Sequence, residues 1–411
     1  MRRIPIDARP GWRRTVEAQG LVFATTPTAD GRELPYWYES AYYALTTDEV
    51  DVLEDTAAQL HQLCLRAVEH VIAEEGFARF GITDERVVAA VRRSWDARPP
   101  SLYGRFDLAY DGRGGPAKLL EYNADTPTGL LEAAICQWYW LQDTHPAADQ
   151  WNSLHERLVE AWRAAAKAFA PGPVHVTHTS VDTSGEEEMT CAYLAETAQQ
   201  AGLEVVTLPI EQVGWQRRDA RFVDLALRPI RTAFKLYPWE WIVRDPFGAQ
   251  ILDQLTAARS GNGAAAATQW IEPIWKMLLS NKALLAVLWE LFPDHPNLLP
   301  AYLDGPRDLT RHVAKPLLGR EGDAIRITGA GADSIVQPGT GGAEGWVHQQ
   351  YTPLPDYDGN RPVLGAWVVA GEPAGLGIRE SDGPVTDYHA RFVPHLRRPF
   401  CCQLNSATYT P

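Results

Sequence analysis

Apolar residues recur every three or four positions after a short polar segment near residue 50, which is the pattern of one buried helical face. Thr46 and Glu49 stand at the spacing of a capping box, in which each side chain bonds the other residue's backbone N–H. The apolar positions that follow are Val50, Leu53, Ala57, Leu60, Cys64, Val68 and Val71. The pattern predicts a long helix that ends near Gly76.

Short strand-like runs appear farther along the chain. Residues 103–110 and 118–123 form two such runs, and the glycine-rich sequence between them predicts a hairpin. A strand, a helix and a strand over 174–179, 186–200 and 203–208 predict parallel pairing in a βαβ unit. Further helices are predicted at 129–141, 151–169 and 270–292, and mostly antiparallel strands at 312–318, 323–329, 346–351 and 363–369. The whole pattern predicts an α+β fold: antiparallel sheets with flanking helices, plus a small parallel subdomain over 174–230.

The composition fits a large folded protein and narrows the range of partners. Of 411 residues, 45% are hydrophobic, which suits two or three closely packed subdomains. With 38 Lys and Arg against 52 Asp and Glu, the formal charge is −14. Such a surface repels phosphate backbones, so a nucleic acid partner is not expected. The charge is compatible with a cationic substrate such as a polyamine, and equally with a simple role in solubility.

The cysteine count and the N-terminus bear on the compartment. There are five cysteines, an odd number, with no CxxC spacing, so neither a disulfide framework nor a zinc site is predicted. No apolar leader segment follows Met1, and no long apolar stretch predicts a membrane span. A reducing, cytoplasmic location is the expectation.

The densest group of polar residues lies on the predicted hairpin. Side chains alternate along a strand, so Arg105 and Asp107 share a face, as do Glu121 and Asn123. If the two strands pair, these faces coincide and bring together oxygen ligands that suit Mg²⁺. Arg105 would then neutralise developing phosphoryl charge. The alternative is a surface hairpin with an ordinary ion pair.

Two further segments carry weaker indications of phosphate chemistry. Lys315 lies on a predicted strand and leads into a turn bounded by Gly319 and Gly322, which could present backbone N–H groups to phosphates. No Walker loop and no G-x-G-x-x-G after a strand is present, so a P-loop or dinucleotide fold is not supported. Arg379 follows a strand in a glycine-rich segment, where it could reach a phosphate or stand in a solvated turn.

Five segments in this order resemble the synthetase part of the glutathionylspermidine synthase family: 104–107, 120–127, 280–285, 315–322 and 377–380. The resemblance covers most of the chain and implies an ATP-grasp ligase, with a nucleotide-binding lobe over 270–390 within a synthetase region of 1–411. It implies that ATP phosphorylates a carboxylate and that an amine attacks the acyl phosphate to form an amide. Bifunctional members carry an N-terminal amidase domain, and this chain starts at the synthetase part, so hydrolysis of the product is not expected.

The resemblance also implies roles for individual residues. By this resemblance, the Mg²⁺ ligands would be Asp107, Glu121 and Asn123. The residues that contact the nucleotide would be Lys282, Lys315, Gly319, Gly322, Gln350 and Tyr351. The catalytic cations would be Arg105, Arg379 and Arg320, and Arg320 would lie on a mobile glycine loop. Thr126 and Thr128 would lie next to the acid, which could be glutathione or another small peptide. Glu187 and Glu188 match loosely the acidic residues that hold a polyamine, although acidic residues are common at helix starts. Arg391 stands where an acidic polyamine contact is expected, which argues against spermidine itself.

Two functions from different classes are consistent with these residues. The first is a carboxylate–amine ligase that uses ATP and Mg²⁺. The second is a nucleotide-binding protein that has lost the ligase chemistry and acts by interaction. The complete set of charged motif residues favours the first, because an idle cluster of carboxylates would only add repulsion.

Overall fold

A computed structural model describes residues 1–28, 30–182, 184–257, 267–329 and 334–398. Its helices are Trp12–Ala18, Thr47–Ala73, Glu85–Ala97, Gln137–Thr144, Leu154–Ala165, Glu186–Gln200, Trp239–Ile242, Gly248–Thr256, Met277–Ser280 and Ala283–Leu291. The capping box at the start of the long helix is confirmed, since the Thr46 hydroxyl and the Glu49 carboxylate each accept the other's backbone N–H. Within the described residues, none of these helices combines the length and apolar character needed to cross a membrane.

A five-stranded antiparallel sheet, here called the central sheet, supports the site. Its strands in spatial order are Arg391–Phe392, Glu372–Ser381, Arg361–Val369, Tyr103–Ala109 and Lys118–Asn123. The predicted hairpin is confirmed as the last two strands. The glycine-rich segment around Gly375 and Gly377, interpreted from sequence as a possible turn, instead lies inside a strand. The long helix Thr47–Ala73 packs against this sheet with its predicted apolar face buried.

A four-stranded parallel sheet forms the α/β part. Its spatial order is Gln269–Ile271, Thr232–Leu236, Val174–His178 and Val205–Pro209, and every neighbouring pair is parallel. The predicted βαβ unit is therefore confirmed, but two of the four strands lie beyond residue 230. The single helix predicted over 270–292 is wrong: the segment begins as a strand, and its helical part is interrupted at Asn281 and Lys282.

A second five-stranded antiparallel sheet, here called the lobe sheet, lies over the cavity described below. Its order is Ala301–Tyr302, Trp346–Gln350, His312–Pro316, Arg326–Thr328 and Ile335–Val336. Helix Ala283–Leu291 packs against it. A three-stranded sheet contains Arg2–Pro5, Ala41–Thr46 and His395–Arg398. Two small hairpins pair Thr25–Pro27 with Glu33–Pro35 and Gly214–Gln216 with Arg221–Val223.

The described cysteines behave as core residues. Cys64, Cys136 and Cys191 are buried free thiols, and burial raises the pKa of each. Cys401 and Cys402 lie outside the described residues.

Candidate active site

A cavity of about 520 Å³ lies between the central sheet and the lobe sheet, within the usual range for small-molecule sites. It gathers residues from segments that are far apart in the sequence. The residues named above that line it are Arg105, Asp107, Glu121, Asn123, Thr126, Thr128, Glu187, Lys282, Lys315, Gly319, Arg320, Gly322, Gln350, Tyr351 and Arg379. Glu188 is exposed and lies outside this lining, which corrects its placement at the substrate.

The hairpin register places the four polar residues in two facing pairs. Arg105 lies opposite Asn123, and Asp107 lies opposite Glu121. Arg105 Nε donates to Asp107 Oδ1 at 2.7 Å, and Asn123 Nδ2 donates to Glu121 Oε1 at 2.9 Å. Two carboxylates and one amide therefore share one wall of the cavity, as alternation along the two strands predicts.

A second arginine reaches the same carboxylate from elsewhere in the central sheet. Arg379 Nη2 donates to Asp107 Oδ2 at 2.7 Å across the intervening strand. Gly365 of that strand pairs with Asp107 on one side and with Gly377 on the other. Neither of these two glycines has a side chain in this cross-strand row. A Cβ on Gly365 would lie 2.9 Å from Arg105 Cδ. The absence of a side chain at Gly365 therefore leaves room for Arg105 and lets Arg379 reach Asp107.

Lys282 reaches the site because the helix breaks immediately before it. Ser280 Oγ accepts the backbone N–H groups of Ala124 and Asp125 at 3.0 and 2.8 Å, which ties this segment to the end of the hairpin. Asn281 Oδ1 accepts the backbone N–H of Ala283, the first residue of the next helix, at 2.9 Å. The resulting bend directs Lys282 Nζ to Glu121 Oε2 at 3.0 Å.

Lys315 supplies a second ammonium group from the lobe sheet. Its Nζ donates to Leu120 O and to Gln349 Oε1, both at 2.8 Å. Burial lowers the pKa of Lys315 to about 8; Lys282 adds to this, and Glu121 opposes it. Burial by itself would raise the pKa of Glu121, but Lys282 and Lys315 outweigh it and hold that pKa well below the usual range. Glu121 is therefore a stable anion that balances two cations.

The glycine loop forms one side of the cavity. Lys282 Nζ donates to Gly319 O at 2.6 Å, which anchors the start of the loop. Arg320 Nη2 donates to Glu240 Oε1 at 3.2 Å, and its guanidinium carbon lies 5.0 Å from the centroid of the Trp241 ring. Gly322 has φ +74°, a conformation that favours glycine. The loop is thus held against helix Trp239–Ile242.

The opposite end of the cavity is acidic. Glu186 and Glu187 project into it from the first turn of helix Glu186–Gln200, and Asp182 and Ser184 lie just before them. Burial raises the pKa of Glu186 to about 8 and that of Glu187 to about 7. Sequence reasoning considered the acidic run 186–188 but assigned only Glu187 and Glu188 to the substrate, and not Glu186.

Asp125 and Arg391 each form ion pairs with other residues of the fold. Asp125 forms an ion pair with buried Lys235 and accepts the backbone N–H of Trp239 at 3.0 Å. It thereby joins the hairpin to the parallel sheet. Arg391 pairs with Glu380 at 3.3 Å and with Asp382 at 2.7 Å. Because both partners are carboxylates outside the cavity lining, Arg391 does not place a cation at the acidic end. The argument against spermidine that was based on Arg391 therefore does not apply.

Comparison with known proteins identifies the family of this chain. A Haemophilus influenzae protein named as an acid–amine ligase is 37% identical over 410 residues, covering 96% of this chain and 99% of that protein. Trypanothione synthetase of Crithidia fasciculata is 28% identical, covering 82% of this chain and 53% of that protein. The bifunctional glutathionylspermidine synthetase/amidase of Escherichia coli is 24% identical, covering 86% and 58%. The chain therefore spans little more than half the length of the last two relatives.

The fold is also found in a solved structure. A glutathione synthetase-like effector, GSS30, of Globodera pallida in its apo form superposes with a TM-score of 0.56 at 9% identity, covering 96% of this chain and 100% of that chain. At that identity the likeness concerns the mixed α/β fold alone. The model of the glutathionylspermidine synthase preATP-grasp family matches residues 3–398, and the chain belongs to that family of ligases and synthetases.

Proposed function

We propose that this protein is an ATP-grasp ligase that joins a carboxylate to an amine through an acyl phosphate. The observation that carries the proposal is the meeting of Arg105 and Arg379 at Asp107, beside the Glu121–Lys282 pair, in one cavity. Structural ion pairs rarely concentrate so many charges around an open volume, because each buried charge has a desolvation cost. Phosphoryl transfer needs such a concentration of cations.

The nucleotide would occupy the side of the cavity formed by the lobe sheet. Lys282 and Lys315 offer ammonium groups for its phosphates, and the loop from Gly319 to Gly322 offers backbone N–H groups. Gln350 and Tyr351 lie at the end of strand Trp346–Gln350, next to apolar residues that suit a purine ring. These apolar residues are Val313, Ile325, Ile327 and Leu354.

The residues of the hairpin fit Mg²⁺. Asp107, Glu121 and Asn123 provide hard oxygen donors on one wall, and this ion usually binds through one or two carboxylates together with substrate phosphates and waters. Among the described residues, no group of three or more His, Cys, Asp or Glu is placed to hold a metal ion. When bound, the ion would supply positive charge beside the nucleotide phosphates.

The chain's own residues account for the chemistry of the first step. An oxygen of the acid attacks the terminal phosphorus of ATP, a P–O bond forms, and ADP leaves with the electrons of the broken bond. Both reactants are anions, so Arg105 and Arg379 would offset the charge that builds up between them. Thr126 and Thr128, which line the cavity beside Arg105, would orient the acid.

The second step requires an amine near the acyl carbon. Its nitrogen forms the C–N bond while the C–O bond to phosphate breaks and inorganic phosphate leaves. The acidic end of the cavity, where Glu187 lies, suits an amine that enters as a cation. A small peptide such as glutathione and a polyamine are the substrates that the relatives favour.

ADP release and amide formation, measured together, test the proposal. The purified chain is given ATP and Mg²⁺ with pairs from a panel of amino acids, small peptides including glutathione, and amines including spermidine. At least one pair is expected to give ADP and an amide, detected by mass, in equal amounts. Asp107→Asn, which keeps the size but removes the charge, should abolish both products.

Nucleotide binding is measured separately by thermal unfolding. ATP with Mg²⁺ at about 100 times its Kd should add roughly 2.7 kcal/mol to the free energy of unfolding. A thermal shift without ADP release from any pair would favour a nucleotide-binding protein without ligase chemistry. Absence of any shift at millimolar ATP and Mg²⁺ would contradict both functions.

A further inference from the structure

A second carboxyl group lies behind the acidic end of the cavity. Glu132 is completely buried, and one of its oxygens accepts the Tyr36 hydroxyl at 2.5 Å. Its other oxygen, Oε2, is buried and makes no hydrogen bond to any described residue. Glu132 begins a single π-helical turn, Glu132–Cys136, a backbone form that is rare and frequently found at functional sites.

Glu186 lines the cavity, whereas Glu132 is buried outside its lining. The pKa of Glu186, about 8, results first from burial and then from the charge of Glu132. Burial also raises the pKa of Glu132 itself. The charged and titratable groups that face the two carboxyls from the surrounding elements are Arg105, Arg379, Glu321, Tyr36 and Tyr388. The negative charge of Glu132 therefore makes the ionisation of Glu186 less favourable.

We propose that Glu186, which lines the cavity, accepts the proton that an ammonium substrate must lose before it can attack, and that the buried Glu132 carboxyl is a positioning residue that acts through Glu186. The inference rests on the proposed ligase function and assigns a proton acceptor to its second step. The acceptor must face the cavity and be basic near neutral pH, and Glu186 meets both conditions.

The other carboxylates of the cavity are poorer bases. Asp107 is held by two arginines and Glu121 by two lysines, so their negative charge is already stabilised. Asp182 accepts the backbone N–H groups of Ser184 and Glu187, which lower its pKa despite its partial burial. Glu187 also has a raised pKa, but its Oε2 already accepts the backbone N–H of Thr179 at 3.3 Å, so this oxygen is occupied.

Amide formation from an ammonium substrate releases two protons. An ammonium nitrogen carries three protons and an amide nitrogen keeps one, so two must leave. One passes to the Glu186 carboxylate, which frees the nitrogen lone pair to attack the acyl carbon. The second is lost as the C–N bond forms and leaves with the departing phosphate as hydrogen phosphate. Glu186 then returns its proton to solvent.

Trapping with hydroxylamine separates this step from the one before it. Hydroxylamine is largely uncharged near neutral pH, so it attacks an acyl phosphate without losing a proton first. With glutathione or another acid that supports ADP release, Glu186→Gln should form the hydroxamate but make the spermidine amide about 10²-fold more slowly or worse. Glu196→Gln, the same change at an exposed position of the same helix, should match the wild type in both reactions.

The ligase function and the proton-acceptor role of Glu186 predict different outcomes in these reactions. Wild-type protein that forms neither ADP nor hydroxamate with any acid would overturn the ligase function, and the inference with it. Hydroxamate formation together with undiminished amide formation by Glu186→Gln would overturn the inference alone.

The pH profile tests Glu132. For the wild type, kcat/KM for the amine should rise with pH and level off near pH 8. Glu132→Gln keeps an acceptor for Tyr36 but removes the neighbouring charge, so this limb should move to lower pH by about one unit. A purely structural role for Glu132 would lower the melting temperature without moving the limb, and that result would overturn its role as a positioning residue.

Discussion

Arg379 donates to Asp107 at 2.7 Å although a whole strand separates their two strands in the sheet. The contact is possible because the row between them passes through Gly365, which carries no side chain on the cavity wall. Arg105 holds the other oxygen of the same carboxylate at 2.7 Å. The two arginines are therefore fixed before any reactant arrives, and such preorganisation is what makes a charge effective in catalysis.

Removing the second arginine should slow phosphoryl transfer while nucleotide binding persists. For Arg379→Ala we expect kcat for ADP release to fall by about 10²-fold or more, in line with the loss of one preorganised group. Lys282 and Lys315 would still hold the phosphates, so the Kd for ATP should change little. Arg361→Ala, on the neighbouring strand with its guanidinium paired to Asp356, is the control and should turn over normally. Wild-type turnover by Arg379→Ala would place the transfer elsewhere.

Adding a single methyl group at position 365 should disturb the contact between Arg105 and Asp107. The Cβ of Gly365→Ala would lie 2.9 Å from Arg105 Cδ, so the arginine must shift away from Asp107. We expect a loss of kcat of about tenfold or more with little change in melting temperature, because a misplaced catalytic group is costly even when the fold is intact. Gly383→Ala, whose Cβ meets open space, serves as the control. Equal activity of the two variants would show that Arg105 has freedom to move.

The hairpin was predictable because its information is local. Alternation fixes which side chains share a face, and a short glycine-rich connection fixes the pairing, so Arg105, Asp107, Glu121 and Asn123 could be brought together from the sequence. The turn interpretation of the glycine-rich segment before Arg379 was wrong for a non-local reason. Gly375 and Gly377 indicate a turn when read alone, yet in the sheet one approaches Leu154 and the other Phe392, and both serve close packing.

The remaining errors also come from tertiary contacts. The apolar composition of 270–292 favours a continuous helix, but Ser280 and Asn281 make hydrogen bonds that stop and restart it. The three glutamates at the start of helix Glu186–Gln200 point in different directions around the helix axis, about 100° apart. Which of them faces the cavity depends on how that helix packs, and the run itself does not specify it.

Two buried histidines should make the protein less stable in mild acid. Burial lowers the pKa of His61 to about 4 and that of His395 to about 3. Between about pH 6.5 and these values, the unfolded chain binds protons that the folded chain does not. The free energy of unfolding should therefore fall as pH falls through this window, by about 3 kcal/mol for His61 alone at pH near 4.

Urea denaturation over a pH series measures this contribution. His61→Gln, which can still hydrogen-bond to the Tyr122 hydroxyl but does not titrate, should flatten the dependence between about pH 6.5 and pH 4. His389→Gln, at an exposed position, should leave the curve unchanged. Parallel curves for wild type and His61→Gln would mean that His61 is protonated in the folded protein.

Arg320 should determine whether ATP cleavage is coupled to amide formation. An acyl phosphate is attacked by water as well as by amines, so the site must exclude water while the intermediate exists. Arg320 holds the glycine loop to Glu240 at 3.2 Å and lies over Trp241, which closes the loop against the cavity. For Arg320→Ala we expect ADP release to exceed amide formation by about twofold or more, because hydrolysis of the intermediate regenerates the free acid. Arg244→Ala, which removes a nearby exposed ion pair with Glu344, should keep the ratio at one. If Arg320→Ala also keeps that ratio but loses kcat, the guanidinium acts on the phosphate during transfer, and water is excluded by other parts of the loop.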